Sequence, residues 1–335
     1  MIYLSQKYFE AYLTSNLENL GNSIKIPISL DDDGFIGREC PNPECEGYFK
    51  VKFGTGLKGE NLPCYCPYCG HMSSHDLFWT KEQIEYIRSF MLRKVNDTLY
   101  KDLKKLEFDH KPRGTFGIGV SLKIKRNGLT PIHYYREKRL ETEVICRNCT
   151  LHYSIYGVFA FCPDCGQHNS LDILTKNLEI IEKMLDLAAD AGKEVADKLI
   201  ENALEDCVSS FDGFGRETCR INAQRAKIPT KAEKISFQNL GAVKNTLRDI
   251  FGFDIASELT VEEWRKVVCG FQKRHLLSHK MGIVDDEYIM KSGDSNAIIG
   301  RKVNISPEEV REIIQIISKL AKYIITKVKE PRSSE

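Results

Sequence analysis

The stretch CRNCTLHYSIYGVFAFCPDCG, residues 146–166, holds two Cys-x2-Cys pairs, Cys146/Cys149 and Cys162/Cys165, separated by twelve residues. A short cysteine pair flanked by proline and glycine bends the backbone so that both sulfurs face one point, and two such pairs complete the tetrahedron that zinc requires. The arrangement occurs a second time upstream, as Cys40-x4-Cys45 followed by Cys66-x2-Cys69. A segment of roughly thirty residues buries too little apolar surface to fold alone, so the metal must supply the stability. The expectation is two structural zinc ions, one per group. Four-Cys sites leave no open coordination position for catalysis. A redox role would need only one pair, and no βαβ pattern surrounds either group. In the first group the wider spacing leaves Cys64, His71 and His75 as alternative ligands.

The Cys-Pro-x-Cys-Gly form at 66–70 and 162–166 resembles the knuckle of zinc ribbons, in which β-hairpins hold the ion. The remaining cysteines, Cys207, Cys219 and Cys269, lie singly in helical sequence, where a small buried hydrophobe is the usual role. Close pairing rather than scatter favours metal over disulfides and a reducing compartment. The first residues, MIYLSQKYFEAYLTSNLENLG, carry no basic segment followed by an apolar one, and no apolar run approaches the length of a membrane span. A cytoplasmic protein with no membrane partner is expected. At 335 residues the chain is long enough for two or three domains. Lys+Arg (48) and Asp+Glu (47) nearly cancel, so overall charge identifies no partner.

The fold class expected is multidomain α+β. An N-terminal segment with the first ribbon spans 1–79, a connecting helix 80–112, a β-rich segment with the second ribbon 113–170, and a helical bundle 171–330. Thr80-Lys81-Glu82-Gln83 fits a capping box, after which Ile84, Ile87, Phe90, Met91, Val95, Leu99, Leu103 and Leu106 recur at helical spacing. From Thr115 the pattern alternates, predicting a hairpin with Asn127-Gly128 as its turn and a second strand near PIHYY. Residues 101–139 hold eleven Lys/Arg against four acids, with Phe108, Phe116, Tyr134 and Tyr135 among them. Cations for phosphates and rings for stacking are the mixture of a single-stranded RNA surface. Lys123, Lys125, Arg126, Tyr134 and Tyr135 are the candidate RNA contacts; the alternative is a solvated helix face and an ordinary charged hairpin.

Beyond Gly166 the periodicity is helical to the end. Helices are expected over 171–189, 193 to about 223, and 237–251. A fourth starts at the Thr260-Val261-Glu262-Glu263 capping box and a fifth at Ser306-Pro307-Glu308-Glu309, where proline suits the first helical position. Helices of this length make a bundle.

The fourth helix ends in KRHLLSHKMG, residues 273–282, with Gly282 placed as the residue after its cap. Cations at a helix C-terminus are favourable in themselves. At about 100° per residue, however, Arg274, His275 and His279 fall within one arc. Zinc binding by the two histidines lacks the glutamate of the metalloprotease helix and a third ligand.

Arg274-x4-His279 on the penultimate long helix of an α-bundle resembles the R-x4-6-H signature of the HEPN superfamily, as does the acidic, aromatic continuation through Asp285, Asp286, Glu287 and Tyr288. The resemblance covers about residues 171–330. It implies a metal-independent endoribonuclease that dimerises through the bundle, with Arg274 and His279 catalytic and His275 assisting. The products would carry 2′,3′-cyclic phosphate and 5′-OH ends. RNA, a second copy of the chain and a protein regulator are the partners it implies, and antiviral defence or a toxin role is the setting by analogy. The family also contains non-catalytic members, so a nucleic-acid-binding or adaptor protein with the same ribbons and bundle is the alternative.

Overall fold

The computed structural model describes residues 4–5, 8–13, 24–59, 62–110 and 120–330. It is mixed α and β, and it divides into two compact units, residues 1–168 and 169–335.

The N-terminal unit begins with a three-stranded antiparallel sheet, β1 (Leu4–Ser5), β2 (Tyr8–Leu13) and β3 (Ile24–Ile28). Next come β4 (Phe35–Glu39) and β5 (Tyr48–Lys52), an antiparallel pair joined through the Cys40/Cys45 loop. A small hairpin of β6 (Pro63–Tyr65) and β7 (Met72–Ser74) carries Cys66 and Cys69 at its turn. Helix α1 (Lys81–Lys104) follows its expected capping box: Thr80 Oγ1 accepts from Gln83 N, and Gln83 Oε1 accepts from Thr80 N, both at 3.1 Å. Strands β8 (Phe108–His110) and β9 (Val120–Leu122) pair with each other. Strands β10 (Thr142–Ile145) and β11 (His152–Ile155) flank the Cys146/Cys149 turn.

Strands of both cysteine modules share one sheet, in the order β10-β11-β5-β4, with Tyr153 opposite Val51 and Ser154 opposite Lys50. Neither pair of strands would be stable alone, and side-by-side pairing buries Phe49, Tyr153 and Ile155 completely.

The hairpin expected around Asn127-Gly128 does not form. Strand β9 pairs backwards with β8, and residues 131–135 have no strand structure. Instead Ile132 and Tyr135 pack with Ile26, Ile28, Ile36 and Tyr86, an apolar burial worth more than an isolated two-stranded ribbon. Glu137 straps this segment down, accepting from Tyr48 Oη and from Gln83 Nε2. Gly37 leaves it room, because a Cβ there would lie 2.1 Å from a Glu137 oxygen. Only the middle of the α1 stripe is used: Ile87, Phe90 and Met91 pack inward beside Tyr86, whereas Ile84, Leu99, Leu103 and Leu106 are exposed. Lys111, Arg113, Thr115 and Phe116 lie outside the described residues.

The C-terminal unit is helical: α2 (Ser170–Ala189), α3 (Lys193–Ile221), α4 (Pro229–Glu233), α5 (Leu240–Phe251), α6 (Val261–Lys280), α7 (Asp286–Ser292) and α8 (Pro307–Lys329). The five long ones match the expected periodicity, and the short α4 and α7 are additional. Phe237 precedes its helix instead of starting it. Asn239 caps α5 by accepting from Ala242 N at 3.1 Å, and Phe237 buries its ring beside Phe211, edge to face at 5.6 Å. Phe211 also meets Phe214 and Phe271, at the centre of a core continuous from Leu174 to Val328. Cys207 and Cys219 are buried in it. Gly215 permits the close approach, since a Cβ there would lie 2.5 Å from the Phe237 ring. Among the described residues no helix is long and apolar enough to cross a membrane.

Candidate functional site

The chain contains two candidate sites, one in each unit. In the N-terminal unit Cys40, Cys45, Cys66 and Cys69 converge, as do Cys146, Cys149, Cys162 and Cys165, with all four sulfurs of each group within 4.8 Å of one another. The close sulfur pairs are Cys40–Cys69 and Cys45–Cys66 at 3.7 Å, Cys146–Cys165 at 3.6 Å and Cys149–Cys162 at 3.4 Å. Each group can hold one metal ion. Cys64 is buried in β6, two residues before Cys66 and opposite Ser73, and neither it nor His71 or His75 belongs to the cluster. Burial pushes the Cys40 and Cys149 thiols up to about 12 when no cation is present, so a metal ion entering must displace their protons.

The four cysteine turns share one backbone device. The residue directly after the second cysteine takes a left-handed conformation at Glu46, Gly70, Thr150 and Gly166. The N–H of the first cysteine then donates back across the turn: Cys66 to His71 O, Cys146 to Leu151 O and Cys162 to Gln167 O, at 2.8–2.9 Å. The longer Cys40 loop closes on Gly47 O at 3.0 Å, so its extra two residues widen the turn without moving the sulfurs apart.

The two Cys-Pro-x-Cys-Gly turns also dock on each other. Tyr65 N donates to Pro163 O and Phe161 N to Pro67 O, both at 2.8 Å. Each glycine faces the aromatic residue of the other turn: a Cβ on Gly70 would lie 3.2 Å from the Phe161 ring, and one on Gly166 3.0 Å from the Tyr65 ring. The two modules are therefore arranged as reciprocal halves around a local two-fold relation. Further ties cross between them: Tyr156 N donates to Tyr68 Oη, and Leu57 N to Asp164 Oδ2 at 2.8 Å. The repeated strings YCPYCGH and FCPDCGQ were the sequence signal for this pairing, aromatic residue included.

The candidate RNA contacts separate by position. Lys123, Lys125 and Tyr134 are exposed. Arg126 is committed to Asp97, with its guanidinium 5.5 Å from the Tyr100 ring centre. Tyr135 belongs to the core beside Tyr86 and is not available for stacking on a base.

In the C-terminal unit the end of α6 sorts its cations into two kinds. Lys273 is buried and bound to Glu309 and to Asn304 O, at 2.7 and 2.9 Å. Lys280 pairs with Asp285 and Glu287. By contrast, no carboxylate among the described residues is within ion-pair distance of Arg274, His275 or His279. Arg274 is half-buried, its Nη1 reaches only the Gln238 amide oxygen at 3.4 Å, and its buried Nε has no hydrogen-bond partner. His275 and His279 are exposed, with ring centres 4.8 Å apart. Burial, and then the charges of His279 and Lys280, hold His275 below its ordinary pKa.

The helix stops where expected. Met281 caps it in a left-handed conformation, and Gly282 follows with φ +78°, its N–H donating to Leu276 O at 2.9 Å. Gln238, the partner of Arg274, is itself held. Buried Asp212 on α3 accepts from Phe237 N, from Ser236 Oγ at 3.2 Å and from Gln238 Nε2 at 3.4 Å. Sequence periodicity gave no sign of this carboxylate, which falls on the inner face of its helix.

Comparison with protein-family models, with curated proteins and with solved structures finds no match to this chain.

Proposed function

We propose that the chain is a HEPN-type endoribonuclease whose N-terminal unit is a paired zinc-ribbon module and whose chemistry lies at the end of α6. The observation that carries this reading is the sorting of charge there. Two lysines are neutralised by nearby carboxylates, while Arg274, His275 and His279, the residues of the signature, are left without an acidic partner. A helix end selected only for its dipole would have no reason to spare those three.

In this reading His279 takes the proton of a ribose 2′-OH, whose oxygen bonds to the adjacent phosphorus. The bond from phosphorus to the 5′-oxygen breaks, and that oxygen leaves after accepting a proton from an acid. Arg274 stabilises the charge that builds on the phosphoryl oxygens, and His275, its pKa held below the ordinary value, helps to place the RNA. A second copy of the chain, meeting the first across the bundle, would supply the acid. Zinc takes no part in the reaction and fits the cysteines: Zn–S bonds of about 2.3 Å place tetrahedral sulfurs about 3.8 Å apart, and the closest pairs here are 3.4–3.7 Å apart with every sulfur of a group within 4.8 Å of the others.

The test is cleavage of single-stranded RNA by wild type, Arg274→Ala and His279→Ala, each with and without EDTA. The reading requires activity in wild type that survives brief chelation and falls by about a hundredfold or more in both variants. Equal cleavage by all three proteins, or binding with no turnover by wild type, would sink it; the second result is what an adaptor would give.

A further inference from the structure

Beside Arg274 the C-terminal unit has a cleft of about 580 Å³ between α4, α5 and the segment joining them. Its floor is apolar, formed by the buried side chains of Ile235 and Val243. Exposed Lys231 and Lys234 stand at its rim, and the amides of Gln238 and Asn239 line it. One carboxylate, Asp249, is also among the lining residues, leaving the cleft net positive. The size is that of a small-ligand site, and an apolar floor with a few fixed polar groups is the usual composition of one.

The cleft and the α6 site share one residue. Gln238 lines the cleft and also accepts from Arg274 Nη1 at 3.4 Å. Asp212 fixes the segment that carries Gln238, by accepting from Ser236, Phe237 and Gln238 together. Asn239 already uses its amide oxygen to cap α5, which leaves its NH2 group to donate into the cleft.

We infer that this cleft is the subsite for a nucleotide flanking the phosphate held by Arg274. The flat base lies on the Ile235 and Val243 floor, its polar edge meets the Gln238 and Asn239 amides, and the next phosphate is held by Lys231 and Lys234. What is cleaved depends on the ribonuclease reading above; what is bound does not.

The probe that separates the two is a single-stranded hexaribonucleotide with 2′-O-methyl riboses, which lacks the attacking hydroxyl. Its affinity for the full chain is measured by fluorescence anisotropy over a salt series. Lys231→Glu combined with Lys234→Glu should weaken binding about tenfold, and loss of that phosphate contact should reduce the slope of log affinity against log salt by about 0.7. Ala242→Trp, which fills the cleft without changing charge, should weaken binding with the salt slope unchanged. These positions are exposed, and the helical circular dichroism of each variant is recorded alongside.

Undiminished affinity in both cleft variants, or no binding by wild type, overturns the subsite. Cleft-dependent binding together with failure to cut unmodified RNA keeps the subsite and removes the ribonuclease. Cutting of unmodified RNA with a KM indifferent to Ala242→Trp does the reverse.

Discussion

Each of the two units is stabilised internally by a different force. The C-terminal unit has one apolar core of long helices centred on Phe211. The N-terminal unit has short strands, small clusters and two four-Cys groups whose turns grip each other through Tyr65 and Phe161. Burial stabilises the first in proportion to area, whatever the solvent contains. The second concentrates its stability in two points, each contributing about 10–16 kcal/mol once an ion is bound. One fold is distributed and the other is riveted.

Metal extraction is the largest perturbation that separates them. A strong chelator under reducing conditions should abolish amide-exchange protection in β4, β5, β10 and β11 while leaving α3 and α8 protected; loss in both units together would break the distinction. Metal analysis of the untreated protein should give two zinc ions per chain. Because the turns dock reciprocally, Cys162→Ser should reduce the content below one, whereas independent modules would retain one ion.

Phe211→Ala is the converse case. It should cost the helical unit about 3–5 kcal/mol through the cavity it leaves, with zinc content unchanged. Smaller effects probe the turn device. Gly166→Ala places a methyl group 3.0 Å from the Tyr65 ring at φ +67° and should destabilise the N-terminal unit by about 1–2 kcal/mol. Thr150→Gly, which relieves a β-branched residue at φ +62°, should stabilise it by about 1 kcal/mol, both read from its thermal transition.

The smallest expected effect is electrostatic. His275 should titrate by NMR with a midpoint below about 6.5, and His279→Ala should move it upward. With its folded pKa depressed, His275 opposes protonation, so its contribution to stability is present above the unfolded value and lost as pH falls through the lower, folded value.

What the sequence made legible is local. Metal-ligand spacing announced all eight cysteines, and caps at Thr80, Thr260 and Ser306 marked their helices because the hydrogen bonds span three residues. What it hid is long-range. Tyr135 looked like a surface ring until Ile26 and Tyr86 arrived to cover it, and Asp212 looked like an ordinary acid until Ser236, Phe237 and Gln238 came to it. Arg274 and His279 could be selected by spacing and resemblance, but the neutralisation of Lys273 by Glu309, which sets them apart, depends on packing α8 against α6.

The claim that the metal holds one unit while the other does the chemistry is tested most directly at the ribose. After the wild-type cut is mapped in a single-stranded RNA, the same RNA is made with one 2′-deoxyribose on the 5′ side of that bond. The account predicts that cleavage there disappears and that the unmodified product ends in a 2′,3′-cyclic phosphate by mass spectrometry, with or without EDTA. Cleavage persisting at the deoxy position, or lost only when metal is removed, would contradict it.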